Sequence, residues 1–92
     1  MNYKIFQLSE NAPKGLMFNS YNGDTFNINN YKQVYSGYIE SSGNVIKDLD
    51  DIFVKFNVNH PSDFIGHSLS VSDIIELDGT KYYVDDIGFT EL

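Results

Sequence analysis

The stretch Ile74–Val84, IIELDGTKYYV, constrains the fold most, because it dictates a β-hairpin. Asp78-Gly79 is a strong two-residue turn signal: a type I′ turn needs positive φ at both central positions, which Gly adopts freely and Asp tolerates. A turn there pairs Leu77 with Thr80, Glu76 with Lys81, Ile75 with Tyr82 and Ile74 with Tyr83. Side chains alternate along a strand, so Ile75, Leu77, Tyr82 and Val84 share a core face, and Glu76 and Lys81 oppose each other on the other. Upstream, Ser72-Asp73 reads as a turn leading into the strand, since short polar side chains bond to nearby backbone. Ser68, Ser70 and Ser72 then line the polar side of that leading segment. Gly88 before Phe89 predicts a bulge or a close backbone approach.

A helix is predicted over Asp48–Asn57, DLDDIFVKFN. Leu49, Ile52, Phe53 and Phe56 recur at i, i+3, i+4 and i+7, which makes one apolar face. Asp48 suits the N-cap, Asp50 and Asp51 complement the positive helix end, and Asp51 precedes Lys55 by four residues. Asn57, Asn59 and Pro61 end it. A helix this short must dock on a sheet to be stable.

Tyr3–Leu8 and Tyr31–Ile39 are rich in β-formers and read as strands. In the second, Tyr31, Gln33 and Tyr35 face one way and Lys32, Val34 and Ser36 the other. Between them, Asn11 and Pro13 can start a short helix through KGLMFNSY that stops at Asn22-Gly23. Tyr3–Leu8 is also a candidate edge strand that could pair across a dimer. The expected architecture is a single α+β domain over residues 1–92: a mostly antiparallel sheet of about four strands, one or two helices on one face, and a C-terminal hairpin.

Charge narrows the function. The chain carries a net charge of −7 and no Arg. In residues 1–46, Lys4, Lys14 and Lys32 balance Glu10, Asp24 and Glu40. In residues 47–92 three lysines face ten acids, so the whole excess lies there. Proteins that grip nucleic acid neutralise phosphates with Lys and Arg, so direct nucleic-acid binding is not expected. An acidic surface attracts basic partners instead, or simply keeps a small protein soluble. No Cys is present, which excludes disulfides and thiolate chemistry and fits a reducing, cytoplasmic setting. The N-terminus lacks the pattern of a signal peptide, and no apolar run is long enough to span a membrane.

Catalytic and metal chemistry find weak footing. Ser70, Ser72, His67 and Asp73 are hydrolase residue types, but no Gly-x-Ser-x-Gly elbow holds them. His60, Asp63 and His67 lack the tight spacing of a zinc site. Asp85 and Asp86 are adjacent on a strand, hence on opposite faces, and make no carboxylate pair. No Gly-rich phosphate loop exists. No catalytic residue, metal or cofactor is therefore expected.

The segments YKQVYSGYI, LDDIFVKFN, HPSDFIGHSLSVSDIIEL and YYVDDIGF, in this order, resemble the YodL-like domain family over about residues 31–89; YKIFQL and LMFNSY are similar too. The resemblance implies a domain of low-GC Gram-positive bacteria and their mobile elements, often one module of long proteins carried by conjugative elements and phages. It implies no catalytic activity. A stand-alone domain of this kind is expected to act by binding a protein partner with a basic surface. The expectation is an anti-CRISPR or anti-restriction inhibitor of a host nuclease. It would act through an acidic face of Asp50, Asp51, Asp73, Glu76, Asp78, Asp85 and Asp86, with carboxylates two apart on a strand imitating a phosphate backbone. The alternative is a module that recruits or localises a host protein. Tyr35, Tyr38, Tyr82 and Tyr83 would serve either an interface or the core.

Overall fold

The structure, a computed structural model, describes residues 1–92. In chain order it contains β1 (Asn2–Leu8), a single 3-10 turn (Ile28–Asn30), β2 (Tyr31–Tyr38), α1 (Val45–Val58), β3 (Ile74–Leu77), β4 (Thr80–Val84) and β5 (Phe89–Glu91). The strands form one antiparallel sheet in the order β2-β1-β3-β4-β5. The class is α+β as expected, with five strands rather than about four and one helix.

The hairpin forms in the register its turn dictates, from Leu77 opposite Thr80 to Ile74 opposite Tyr83. Asp78 and Gly79 both take positive φ, 51° and 91°, as a type I′ turn requires. β1 runs antiparallel to β3, with Ile5 opposite Ile75 and Tyr3 opposite Leu77. β1 is therefore internal, and the free edges are β2 and β5. Tyr3–Leu8 cannot serve as the edge that pairs across a dimer.

Strand β2 does not alternate cleanly. Its register with β1 slips between Ile5, opposite Tyr35, and Phe6, opposite Gln33. Val34 is the extra residue of a bulge, and Val34 and Tyr35 both pack against the core. On the same face, α1 inserts Leu49, Ile52 and Phe56 between Tyr3, Ile5, Ile75, Leu77 and Val84. Phe56 is the hub of an aromatic cluster, with ring centroids 4.9 Å from Phe64, 5.3 Å from Tyr35 and 6.1 Å from Tyr3. Tyr82 and Phe53 are partly buried around it.

The helix begins three residues before the predicted start. Asn44 is the N-cap, its side chain accepting from the Lys47 N–H at 3.2 Å. Asp48 lies inside the first turn, buried, and accepts from the Ser42 N–H at 3.0 Å and the Ser41 hydroxyl at 3.2 Å. These bonds, the Ser42 N–H first, hold its carboxyl below the usual carboxylate range. Asp51 pairs with Lys47, at 2.7 Å, and not with Lys55.

The predicted second helix does not form. Residues 9–27 contain only turns, because Gly15 and Phe18 take φ of 89° and 69°, incompatible with a right-handed helix. This segment covers part of the sheet's second face. Phe26 and Tyr21 pack on Tyr83, and Ile74 beside it is fully buried. β5 pairs with β4 after a turn in which Gly88 has φ of 71°. A Cβ on Gly88 would meet nothing within 4 Å, so backbone conformation, and neither a bulge nor a close approach, is what calls for glycine there.

Candidate protein-binding surface

The structure sorts the seven carboxylates by what holds them. Asp73 leaves the surface set, being only 1% exposed. Its Oδ2 accepts from the Ser70 N–H at 3.0 Å and from Gln7 Nε2 at 3.2 Å, and its Oδ1 lies 3.9 Å from His67 Nε2. Burial pushes its pKa up to about 6, against the lowering pull of the Ser70 backbone, His67 and Gln7. Glu76 is neutralised in place between Lys81, at 2.8 Å, and Lys4, at 3.8 Å. Asp85 organises a turn rather than a strand, since β4 ends at Val84. It accepts from Thr90 Oγ1 at 2.6 Å, the Asp86 N–H at 2.9 Å and the Tyr21 N–H at 3.1 Å. These bonds, led by that from Thr90, keep its carboxyl below the usual range.

Asp50, Asp51, Asp78 and Asp86 are exposed. Asp78 and Asp86 occupy turns at opposite ends of β4, which at ~3.4 Å per residue sets them more than ~15 Å apart. They cannot join one row of closely spaced charges. Asp50 and Asp51 sit on α1 and are adjacent.

That helix carries the feature the sequence reading missed. Its outward side is apolar and carries both signs of charge: Asp50 has no lysine partner, Asp51 is bound to Lys47, and Lys55 lies one turn on. Ile46 is 54% exposed, Val54 55% and Val58 79%. Asp50, Val54 and Val58 follow one another at i, i+4 and i+8, and Asp51 lies beside Val54 at i−3. The opposite side of the same helix fills the core through Leu49, Ile52 and Phe56, which fixes this row toward solvent. β-Branched residues are mediocre helix formers, so exposed valines weaken the helix without adding to the core. The signal was present in the sequence, as Val54 and Val58 fall outside the predicted apolar face.

The hydrolase residue types take structural posts. Ser72 is buried in a turn at φ 89°, its Oγ accepting from the Phe18 N–H at 3.2 Å, so it does not line the polar side of a strand. Ser70 Oγ is buried without a partner. Of His60, Asp63 and His67, Asp63 accepts from the Tyr35 hydroxyl at 3.1 Å, and no group of three His, Cys, Asp or Glu side chains converges on a point. Among the tyrosines, Tyr83 is buried and Tyr38, at the end of β2, is exposed.

The family model of the YodL-like domain matches residues 2–92. The chain belongs to the YodL-like family. The match takes in residues 31–89 together with the first strand and the covering segment, so the whole sheet of this YodL-like domain falls within it. No curated protein and no solved structure matches the chain. No helix of this YodL-like domain is long and apolar enough to cross a membrane.

Proposed function

We propose that this YodL-like domain is a non-catalytic protein-binding domain, encoded by a mobile element, that inhibits a host DNA-handling or defence nuclease of the anti-CRISPR or anti-restriction kind. One observation carries the reading: Asp50, which no lysine pairs, shares the outward side of α1 with Val54 and Val58, beside the Asp51–Lys47 pair. Contact surfaces need desolvated apolar groups for affinity and charges for partner choice, and this face offers both. The net charge of −7 steers the domain toward basic surfaces, the channels of nucleic-acid enzymes among them. Asp78 and Asp86 add to that long-range field from the turns. Docking of the helix face at the mouth of a basic channel replaces strand-borne phosphate mimicry as the mechanism, since Asp73 is buried and Glu76 is already paired.

Titration into CRISPR-nuclease and restriction-enzyme cleavage assays, at low and moderate salt, tests this. Saturable inhibition that weakens with salt supports it; intact cleavage at excess domain rejects it for those enzymes. The second reading, recruitment of a host protein without inhibition, draws on the apolar half of the same face. A pull-down whose captured partner is no nuclease, and whose capture is lost in Val54→Lys, favours that reading.

A further inference from the structure

Residues 9–27 are an unusually long run without regular structure for a compact domain, and such runs are commonly functional. The run is nevertheless firmly anchored. Tyr83 Oη donates to the Asn19 carbonyl at 2.6 Å, the Tyr21 N–H donates to Asp85 at 3.1 Å, and the Phe18 N–H donates to the Val71 carbonyl at 3.2 Å. Phe18 and Ser72, which meet at one anchor, both hold positive φ, an arrangement that costs conformational energy. The result is a bowl of about 680 Å³ between the loop and the sheet, within the range of small-molecule sites.

The lining has a consistent chemistry. Tyr21, Phe26, Tyr31 and Tyr83 supply rings, packed edge-on or tilted at 5.3–6.1 Å, too close to admit a group between them. Tyr31 and Tyr83 turn their hydroxyls onto the Ser72 and Asn19 carbonyls, and burial raises both phenols, so they stay neutral. Asn22 and Asn27 each use Oδ1 to accept a backbone N–H, which leaves their Nδ2 donors unpartnered, and the Asn30 carboxamide has no partner at all. No lining residue is charged. An anion finds nothing to neutralise it. A cation finds no carboxylate among the lining residues, and no cage, since the rings pack on one another.

Flat rings beside spare amide donors match a neutral ring with an apolar C–H face and a rim of oxygen acceptors. We propose that the bowl between the residue 9–27 loop and the sheet is a binding site for a neutral saccharide. The site lies apart from the α1 face and stands or falls independently of the nuclease reading.

The test is a titration of the ¹⁵N-labelled full chain, followed by amide shifts, with N,N′-diacetylchitobiose and with cellobiose. Tetramethylammonium chloride and inorganic phosphate serve as charged probes. The expected result is saturable shifts at Tyr21, Asn22, Phe26 and Asn30 with at least one disaccharide and with neither charged probe. Asn30→Ala should weaken that binding about tenfold while leaving the sheet amides unmoved, and Tyr21→Ala, checked for a native thermal melt, serves as a second variant. No saturable shift with either disaccharide overturns the proposal. So do shifts of these residues with a charged probe, or binding untouched in both variants.

Discussion

Gln7 and Asp73 are 66 positions apart in sequence and 3.2 Å apart in space, Nε2 to Oδ2, inside the fold. With His67 and Ser70 they tie the segment after α1 to β1. A buried carboxyl here carries a pH dependence of definite sign. Its pKa rises from 3.8 to about 6 on folding, so between those values the native state holds the extra proton. Its stabilising effect is fully present below 3.8 and is lost as pH rises through about 6, up to about 3 kcal/mol in all. Asp73→Asn should flatten this part of the curve and gain stability relative to the native chain above pH 6. Urea unfolding of both proteins across this range reads it; parallel curves would contradict it.

Gly37 should resist substitution. A Cβ there would lie 2.6 Å from Tyr3 Oη and 2.7 Å from its Cζ. Tyr3 is buried, stacked on Tyr35 and edge-on to Phe56, so its ring has nowhere to go. Gly37→Ala is expected to cost about 1–3 kcal/mol in urea unfolding.

Asn44→Ala and Asp48→Ala separate two roles at the helix start. Loss of the Asn44 cap should cost about 1 kcal/mol with little pH dependence. Asp48→Ala removes a carboxylate whose pKa is depressed. Its contribution is present above the unfolded-state pKa and lost as pH falls through the folded one, so the cost of this variant should shrink in acid. Thermal melts at neutral and acid pH distinguish the two.

What was legible in the sequence follows the range of the interactions involved. The Ile74–Val84 hairpin needs only its own turn and alternation, and its register was readable. The core face of α1 was readable from spacing, but its start was not, because Asn44 and Asp48 compete for the cap and Ser41 and Ser42 draw Asp48 inward. β5 has three residues and pairs with β4 across a turn in which Asp85 is bonded to Thr90 and, from outside the hairpin, to Tyr21. The second helix failed against positive φ at Gly15 and Phe18, the latter bonded to Val71 and Ser72 far along the chain. For the site, Asp50 and Asp51 were readable as exposed helix acids. The burial of Asp73 was not, since its partners come from β1 and from the loop after α1.

If the domain inhibits a nuclease as proposed, α1 is the element that meets it. The most direct measurement compares nuclease inhibition by an Asp50→Lys, Asp51→Lys, Val54→Asp variant with that by an Asp78→Lys, Asp86→Lys variant, both checked for native thermal melts. The helix variant is expected to lose inhibition at least about tenfold, the equivalent of about 1.4 kcal/mol, while the turn variant mainly slows onset. Absence of inhibition by the native domain, or equal loss in both variants, would contradict it.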